Sequence, residues 1–186
     1  MKKTWQTKLI HTDAKVPEGF RSLSTPVYRG STVLFANSAS ASDRWDQEEI
    51  GYTYGLYGTP TTLELAARIA ELEHGYRTVI APGGQAAIAL IDLAFLSAGD
   101  HVLIPESAYG PNRLLATKML KRFGIETNFY PPLAGAGIES HLRENTRLIW
   151  TESPGSITLE VQDIPVIVEV AHRKNILVAL DNTWSA

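Results

Sequence analysis

The sequence predicts an α/β fold: a mainly parallel sheet with helices on both faces. Two observations carry that prediction. Short apolar runs alternate with longer stretches of helical periodicity, and two of those stretches open on helix-start signals. A sheet of this kind binds ligands at the carboxyl ends of its strands.

Taken in order, residues 1–58 hold Ser, Thr and Gly among scattered aromatics (Phe35, Trp45, Tyr52, Tyr54, Tyr57) without sustained periodicity. They read as an extended N-terminal arm. Aromatics on an arm need another surface to pack on, which points to an oligomer. From Pro60 the pattern changes, and 59–186 reads as the first part of a ligand-binding domain. Thr61 followed by Glu64 fits a capping box, Leu65, Ile69 and Leu72 fall at helical spacing, and His74 and Gly75 end the run. A strand over 78–81, a helix over 84–96, a strand over 101–104, a helix over 111–123 and a strand over 126–130 follow. Beyond a loop containing Pro and Gly come a strand over 147–151, a helix opened by Asp163 and Pro165 and running to about residue 174, and an apolar strand over 176–180. Residues 181–186 supply no helix to cover that last strand, so the sheet is expected to be unfinished within these residues.

Composition narrows the function. The 186 residues are 44% hydrophobic and 20% charged, as in ordinary globular proteins. A net charge of -3 without a basic stripe argues against nucleic acid, whose polyphosphate calls for clustered Lys and Arg. Lys118, Lys121 and Arg122 fall at helical spacing and read as a solvated helix face. With no cysteine there is neither a disulfide nor a thiolate metal site, and no apolar run approaches the roughly 20 residues needed to cross a membrane. The start of the chain lacks the apolar core of a signal peptide, and a cytoplasmic protein is expected. The histidines at 11, 74, 101, 141 and 172 form no metal-binding pattern, and Gly-x-Ser-x-Gly is missing, which disfavours a hydrolase.

Three places carry candidate chemistry. Ala81-Pro82-Gly83-Gly84-Gln85 joins an expected strand to a helix, so its backbone N–H groups can approach an anion; glycine before a helix also serves plain turn geometry. Asp181 follows the last strand, where a carboxylate can hold a cationic ring nitrogen or cap a turn. Tyr109, beyond the strand over 101–104, can stack on a planar cofactor or simply pack.

The run Glu152-Ser153-Pro154-Gly155-Ser156-Ile157-Thr158-Leu159-Glu160-Val161-Gln162-Asp163-Ile164-Pro165, followed by Asp181-Asn182-Thr183-Trp184, resembles the Cys/Met-metabolism family of pyridoxal 5'-phosphate (PLP) enzymes. It is more similar to the cystathionine β-lyases of that family than to the γ-synthases and γ-lyases, where Glu-Thr-Pro-x-Asn-Pro is usual. Tyr54-Gly55-Leu56-Tyr57-Gly58-Thr59-Pro60-Thr61, Leu72-Glu73-His74-Gly75, Gly99-Asp100-His101-Val102 and Tyr109-Gly110-Pro111 agree in order and spacing. The resemblance implies an aminotransferase-like, type I PLP fold, incomplete here, and PLP as cofactor. It implies that the N–H groups of Gly84 and Gln85 bind the cofactor phosphate, that Tyr109 stacks on the ring, and that Asp181 pairs with the ring nitrogen. Tyr54 matches a tyrosine that reaches the phosphate of a neighbouring subunit, within a homotetramer built as a dimer of dimers. The implied reaction is α,β-elimination of L-cystathionine to homocysteine, pyruvate and ammonia in methionine biosynthesis.

Three departures accompany the resemblance. Leu56 stands where many relatives carry Arg, removing a bidentate phosphate contact. Gln85 stands where Met, Leu or Ala is usual, although its backbone N–H still donates. The family lysine, in a Ser/Thr-x-x-Lys segment, is expected beyond residue 186, and none of Lys2, Lys3, Lys8, Lys15, Lys118, Lys121 or Lys174 fits its place. The 186 residues alone are therefore expected to be inactive, since no positioned lysine holds the cofactor or takes the α-proton. A non-catalytic chain that joins an intact partner, a related γ-synthase or γ-lyase, and a free-standing binder of phosphate esters are the competing readings.

Overall fold

Pro60 sets where the first helix begins. A computed structural model describes residues 26–41 and 54–185, and the chain divides into two units after Ile80. In the first unit, helix α1 (Pro60–Leu72) starts at its proline, whose missing N–H costs nothing at the first helical position. The N-cap is accordingly Thr59, and the capping box joins Thr59 to Thr62, with the Thr59 N–H donating to Thr62 Oγ1 at 2.8 Å. The expected box of Thr61 and Glu64 is thus two residues out. Thr61 Oγ1 instead donates to the Pro26 carbonyl at 2.8 Å and accepts the Tyr28 N–H at 2.9 Å, while Glu64 pairs with Arg68 one turn on. Trp45 and Tyr52 of the expected arm, with Lys2, Lys3, Lys8, Lys15 and His11, lie outside the described residues.

The strand expected over 78–81 does not form. Val79 and Ile80 have the side chains of a strand but are exposed, and no described segment pairs with their backbone. Ladder bonds and a covered face, not β-propensity, decide whether such a segment is a strand.

The second unit, from Ala81 onward, holds the sheet. Strands β1 (His101–Pro105), β2 (Glu126–Tyr130), β3 (Thr146–Glu152) and β4 (Leu177–Asp181) are all parallel, in the order β2-β1-β3-β4. Every residue of β1 is buried, as the inner strand of a sheet covered on both faces requires. Alternation along the strands divides the core. Val102, Ile104, Leu148 and Trp150 face helix α2 (Gly84–Phe95) and the next helix through Ile88, Ala116 and Leu120. Leu103, Ile149 and Tyr130 face the other way, against Ile138 and the Ile167, Val170 and Ala171 stripe of helix α4 (Ile164–Arg173).

Helix α3 (Gly110–Leu115) passes into a π-helical turn over Ala116–Leu120, where Thr117 Oγ1 donates back to the Arg113 carbonyl at 2.8 Å. Lys118, Lys121 and Arg122 are exposed, as a solvated face should be. The loop expected after β2 contains a 3₁₀ helix, Gly135–His141, which buries Ile138. Asp163 caps α4 as the sequence suggests, its Oδ1 accepting the Val166 N–H at 3.3 Å.

Candidate active site

Strands β1, β3 and β4 end side by side at Pro105, Glu152 and Asp181. Asp181 is itself the last residue of β4, in register with Glu152 of β3. Its Oδ1 accepts the Thr183 N–H at 3.1 Å and the Thr183 hydroxyl at 2.6 Å. That closes the turn after the strand, so the capping role holds for one oxygen. Oδ2 has no hydrogen-bond partner among the described residues, which leaves an acceptor for a cation at the sheet's carboxyl edge. Ser185 Oγ donates to the Ser153 carbonyl at 2.8 Å and ties this turn to the loop after β3.

Tyr109 precedes α3, and its backbone N–H donates to Glu152 Oε2 at 2.7 Å. Tyr109 is 45% exposed. Packing therefore does not consume the ring, which remains available to a planar ligand. Glu152 is buried at 4% exposure. Burial raises its pKa, the Tyr109 N–H and Ser156 pull in the opposite direction, and the Asp181 carboxylate raises it further.

Gly83 and Gly84 open α2. Gly83 has φ +137°, a conformation that L side chains rarely adopt. No side chain caps this helix, and the Ala87 N–H donates to the Gly83 carbonyl at 3.0 Å. The N–H groups of Gly84, Gln85 and Ala86 have no acceptor within the helix, and a Cβ built on Gly83 or Gly84 would meet nothing within 4 Å. Open space in front of unpaired donors at a helix N-terminus suits a phosphate. An exposed aromatic ring, a free carboxylate oxygen and an uncapped helix start in one unit fit a flat, cationic ring that bears a phosphate ester.

Tyr54 belongs to the first unit, where its ring meets Tyr57 edge-on at 5.7 Å and is partly exposed. Leu56 is exposed beside it. Lys174 lies at the amino end of β4, opposite to Asp181, and pairs with Glu139 at 3.2 Å. No cluster of His, Cys, Asp and Glu among the described residues could hold a metal. No helix among them is long and apolar enough to cross a membrane.

Sequence reasoning passed over Glu152 as a site residue. Its signal was the one used for Asp181: a carboxylate at the carboxyl end of an apolar strand.

The description of Cys/Met metabolism PLP-dependent enzymes matches residues 6–186. The chain is 45% identical over 179 residues to a putative cystathionine beta-lyase of Rhizobium johnstonii, covering 96% of this chain and 44% of that protein. Two solved structures superpose closely. One is a putative O-acetylhomoserine (thiol)-lyase of Campylobacter jejuni carrying N'-pyridoxyl-lysine-5'-monophosphate, with TM-score 0.79, 30% identity and coverage of 87% of this chain and 40% of that one. The other is a cystathionine gamma-lyase of Lactobacillus plantarum in complex with L-serine, with TM-score 0.76, 30% identity and coverage of 88% and 40%. The chain spans about half the length of the curated relatives it matches. The parallel sheet, the helices on both its faces and these likenesses agree: the chain belongs to the Cys/Met-metabolism family of PLP-dependent enzymes, with the type I PLP fold.

Proposed function

We propose that the protein belongs to a carbon–sulfur β-lyase that converts L-cystathionine to homocysteine, pyruvate and ammonia, working as a cytoplasmic homo-oligomer. The observation that carries the reading is Asp181, which holds a turn with Oδ1 and keeps Oδ2 free at the carboxyl edge of the sheet. When bound, PLP supplies an electron sink that stabilises negative charge at the substrate α-carbon. In this reading the Asp181 carboxylate keeps a proton on the ring nitrogen, the Gly84 and Gln85 N–H groups bind the phosphate, and the Tyr109 ring fixes the cofactor plane. The open α2 start and the exposed ring support these roles. Tyr54 is assigned to the phosphate of a neighbouring subunit, which gives the aromatic arm over 1–58 its purpose as an oligomer contact.

The β-lyase reading is favoured over the γ-lyase one by the run from Glu152 to Pro165 and by the name of the Rhizobium relative. Product analysis tests it: the whole protein, purified and saturated with PLP, is given L-cystathionine, with residues 1–186 alone as the expected inactive control. Homocysteine and pyruvate are expected. Cysteine with 2-oxobutyrate would move the assignment to γ-elimination. Bound cofactor without either product set would leave a PLP-binding chain with no lyase activity of its own.

A further inference from the structure

We propose that Glu152 is a positioning residue, whose buried carboxylate fixes the backbone of Tyr109 and so holds the tyrosine ring against the cofactor. The inference deepens the PLP reading and rests on it for the ring's task.

The joint is built from both sides. Glu152 ends β3 at 4% exposure, and its Oε2 accepts the Tyr109 N–H at 2.7 Å across 43 residues of sequence. Its own backbone is held in turn: the Glu152 N–H donates to Gln162 Oε1 at 2.8 Å, and Gln162 Nε2 donates to the Tyr130 hydroxyl at 3.2 Å and the Pro132 carbonyl at 3.1 Å. A second link runs parallel to the first, from the Ser156 N–H to the Ser107 carbonyl at 2.9 Å. The turn after β3 thereby clamps residues 107–109 at two points.

The choice of a carboxylate is costly. It sits at the end of β3 beside Asp181 of β4, in a buried place that raises its pKa. An apolar side chain of similar volume would avoid that cost but would leave the Tyr109 N–H without this partner. The retained acceptor, not the volume, is what the site uses. Tyr109 has φ -44° and ψ 126° as it turns from the β1 loop into α3, so a bond at its own N–H holds the stretch of backbone from which the ring projects.

The test compares Glu152→Met, which keeps volume without an acceptor, with Glu152→Gln, which keeps an oxygen for the same N–H. Amide hydrogen exchange over residues 106–112 is read in the cofactor-free protein, and PLP affinity is read from the cofactor's absorbance. Losing one hydrogen bond to a carboxylate is expected to speed exchange at Tyr109 and weaken PLP binding by about tenfold each in the Met variant. In the Gln variant both should stay within about threefold of the parent, since the bond survives. Unchanged Tyr109 exchange in the Met variant would overturn the proposal. So would a Gln variant as impaired as the Met variant at an unchanged unfolding temperature. Should the Met variant fail to fold, the Gln variant decides: retained exchange protection and affinity support the bond, and their loss overturns it. The exchange readout needs no cofactor, so it stands even if the protein proves not to bind PLP.

Discussion

The indole N–H of Trp150 donates to Asp92 Oδ1 at 2.8 Å, joining the middle of β3 to α2 inside the core. Asp92 is 0% exposed, and its Oδ2 has no partner. Burial pushes its pKa up from 3.8 to about 6, with the Trp150 bond offsetting part of the shift. With its pKa near 6, Asp92 is mostly ionised at neutral pH, and α2 is pinned to the sheet by a buried charge.

That charge makes a prediction with a definite sign. The folded state holds the Asp92 proton more tightly than the unfolded chain, so this group favours folding most below pH 3.8. Its contribution is lost as pH rises toward 6. Asp92→Asn keeps an oxygen for Trp150 and removes the charge. It should be more stable than the parent at pH 8 by on the order of 2–3 kcal/mol and lose the difference near pH 4. Denaturant unfolding at the two pH values checks this, and equal midpoints at pH 8 would refute it.

His101 acts in the opposite direction. It is fully buried on β1, with Nδ1 2.8 Å from Thr146 Oγ1 and Nε2 3.1 Å from Asn128 Oδ1. Asn128 Oδ1 can only accept, so the ring's own proton sits on Nε2 and the Thr146 hydroxyl, which also accepts the Arg143 N–H at 2.8 Å, donates to Nδ1. Burial lowers the His101 pKa, as does the positive charge of Arg143, while Asn128 and Glu126 raise it. Stability from the neutral ring is present above its ordinary pKa of 6.5 and falls as pH drops below that value. His101→Gln should flatten this acid limb in urea titrations between pH 7.5 and 5; an unchanged limb would assign it to another group.

Gly155 is required by contact. A Cβ there would lie 2.6 Å from Ser107 Oγ and 2.7 Å from Ser107 Cβ. Gly155→Ala should cost about 1–3 kcal/mol, as overpacking does, and loosen the segment that bears Tyr109. Gly137→Ala, with nothing within 4 Å of the added carbon, is the matched control. Ser107→Gly in the Gly155→Ala background should restore the loss, as measured by thermal unfolding.

Asp181→Asn separates the two oxygens. An amide oxygen still serves Thr183, so unfolding should shift by less than about 1 kcal/mol, as for a neutral swap that keeps its hydrogen bond. Without the charge, PLP affinity should fall about tenfold or more, the scale of one lost charge-assisted contact. Calorimetry and cofactor titration on the same preparation check both halves, and a large loss of stability would make Asp181 chiefly a structural cap.

Much of the order of strands and helices was legible because β1, β3 and β4 each hold a short apolar run and the longer helices carry their own period. Asp181 was legible for the same reason: the apolar run ends there. The capping box was misread because Thr59 with Thr62 and Thr61 with Glu64 have the same spacing; Pro60, which prefers the first helical position, separates them. The failed strand over 78–81 shows that side-chain preference without a ladder partner is insufficient. The strand-end place of Glu152 was as legible as that of Asp181, but its bond to Tyr109 was not: the partner lies 43 residues away, and neither the β3 period nor the turn signals of the β1 loop encode that meeting. The buried amide of Gln162, in a segment between elements, was equally silent.

The strand order β2-β1-β3-β4 also governs when the sheet can form. β1 becomes an inner strand only when β3 arrives 45 residues later, and until then the described residues offer a two-stranded parallel pair, a marginal object in water. Loop closure over that span must come first, which favours a slow, late-committing nucleus over stepwise growth from one end. During synthesis, passage of Glu152 from the ribosome sets the earliest moment at which β1 can be locked between two neighbours.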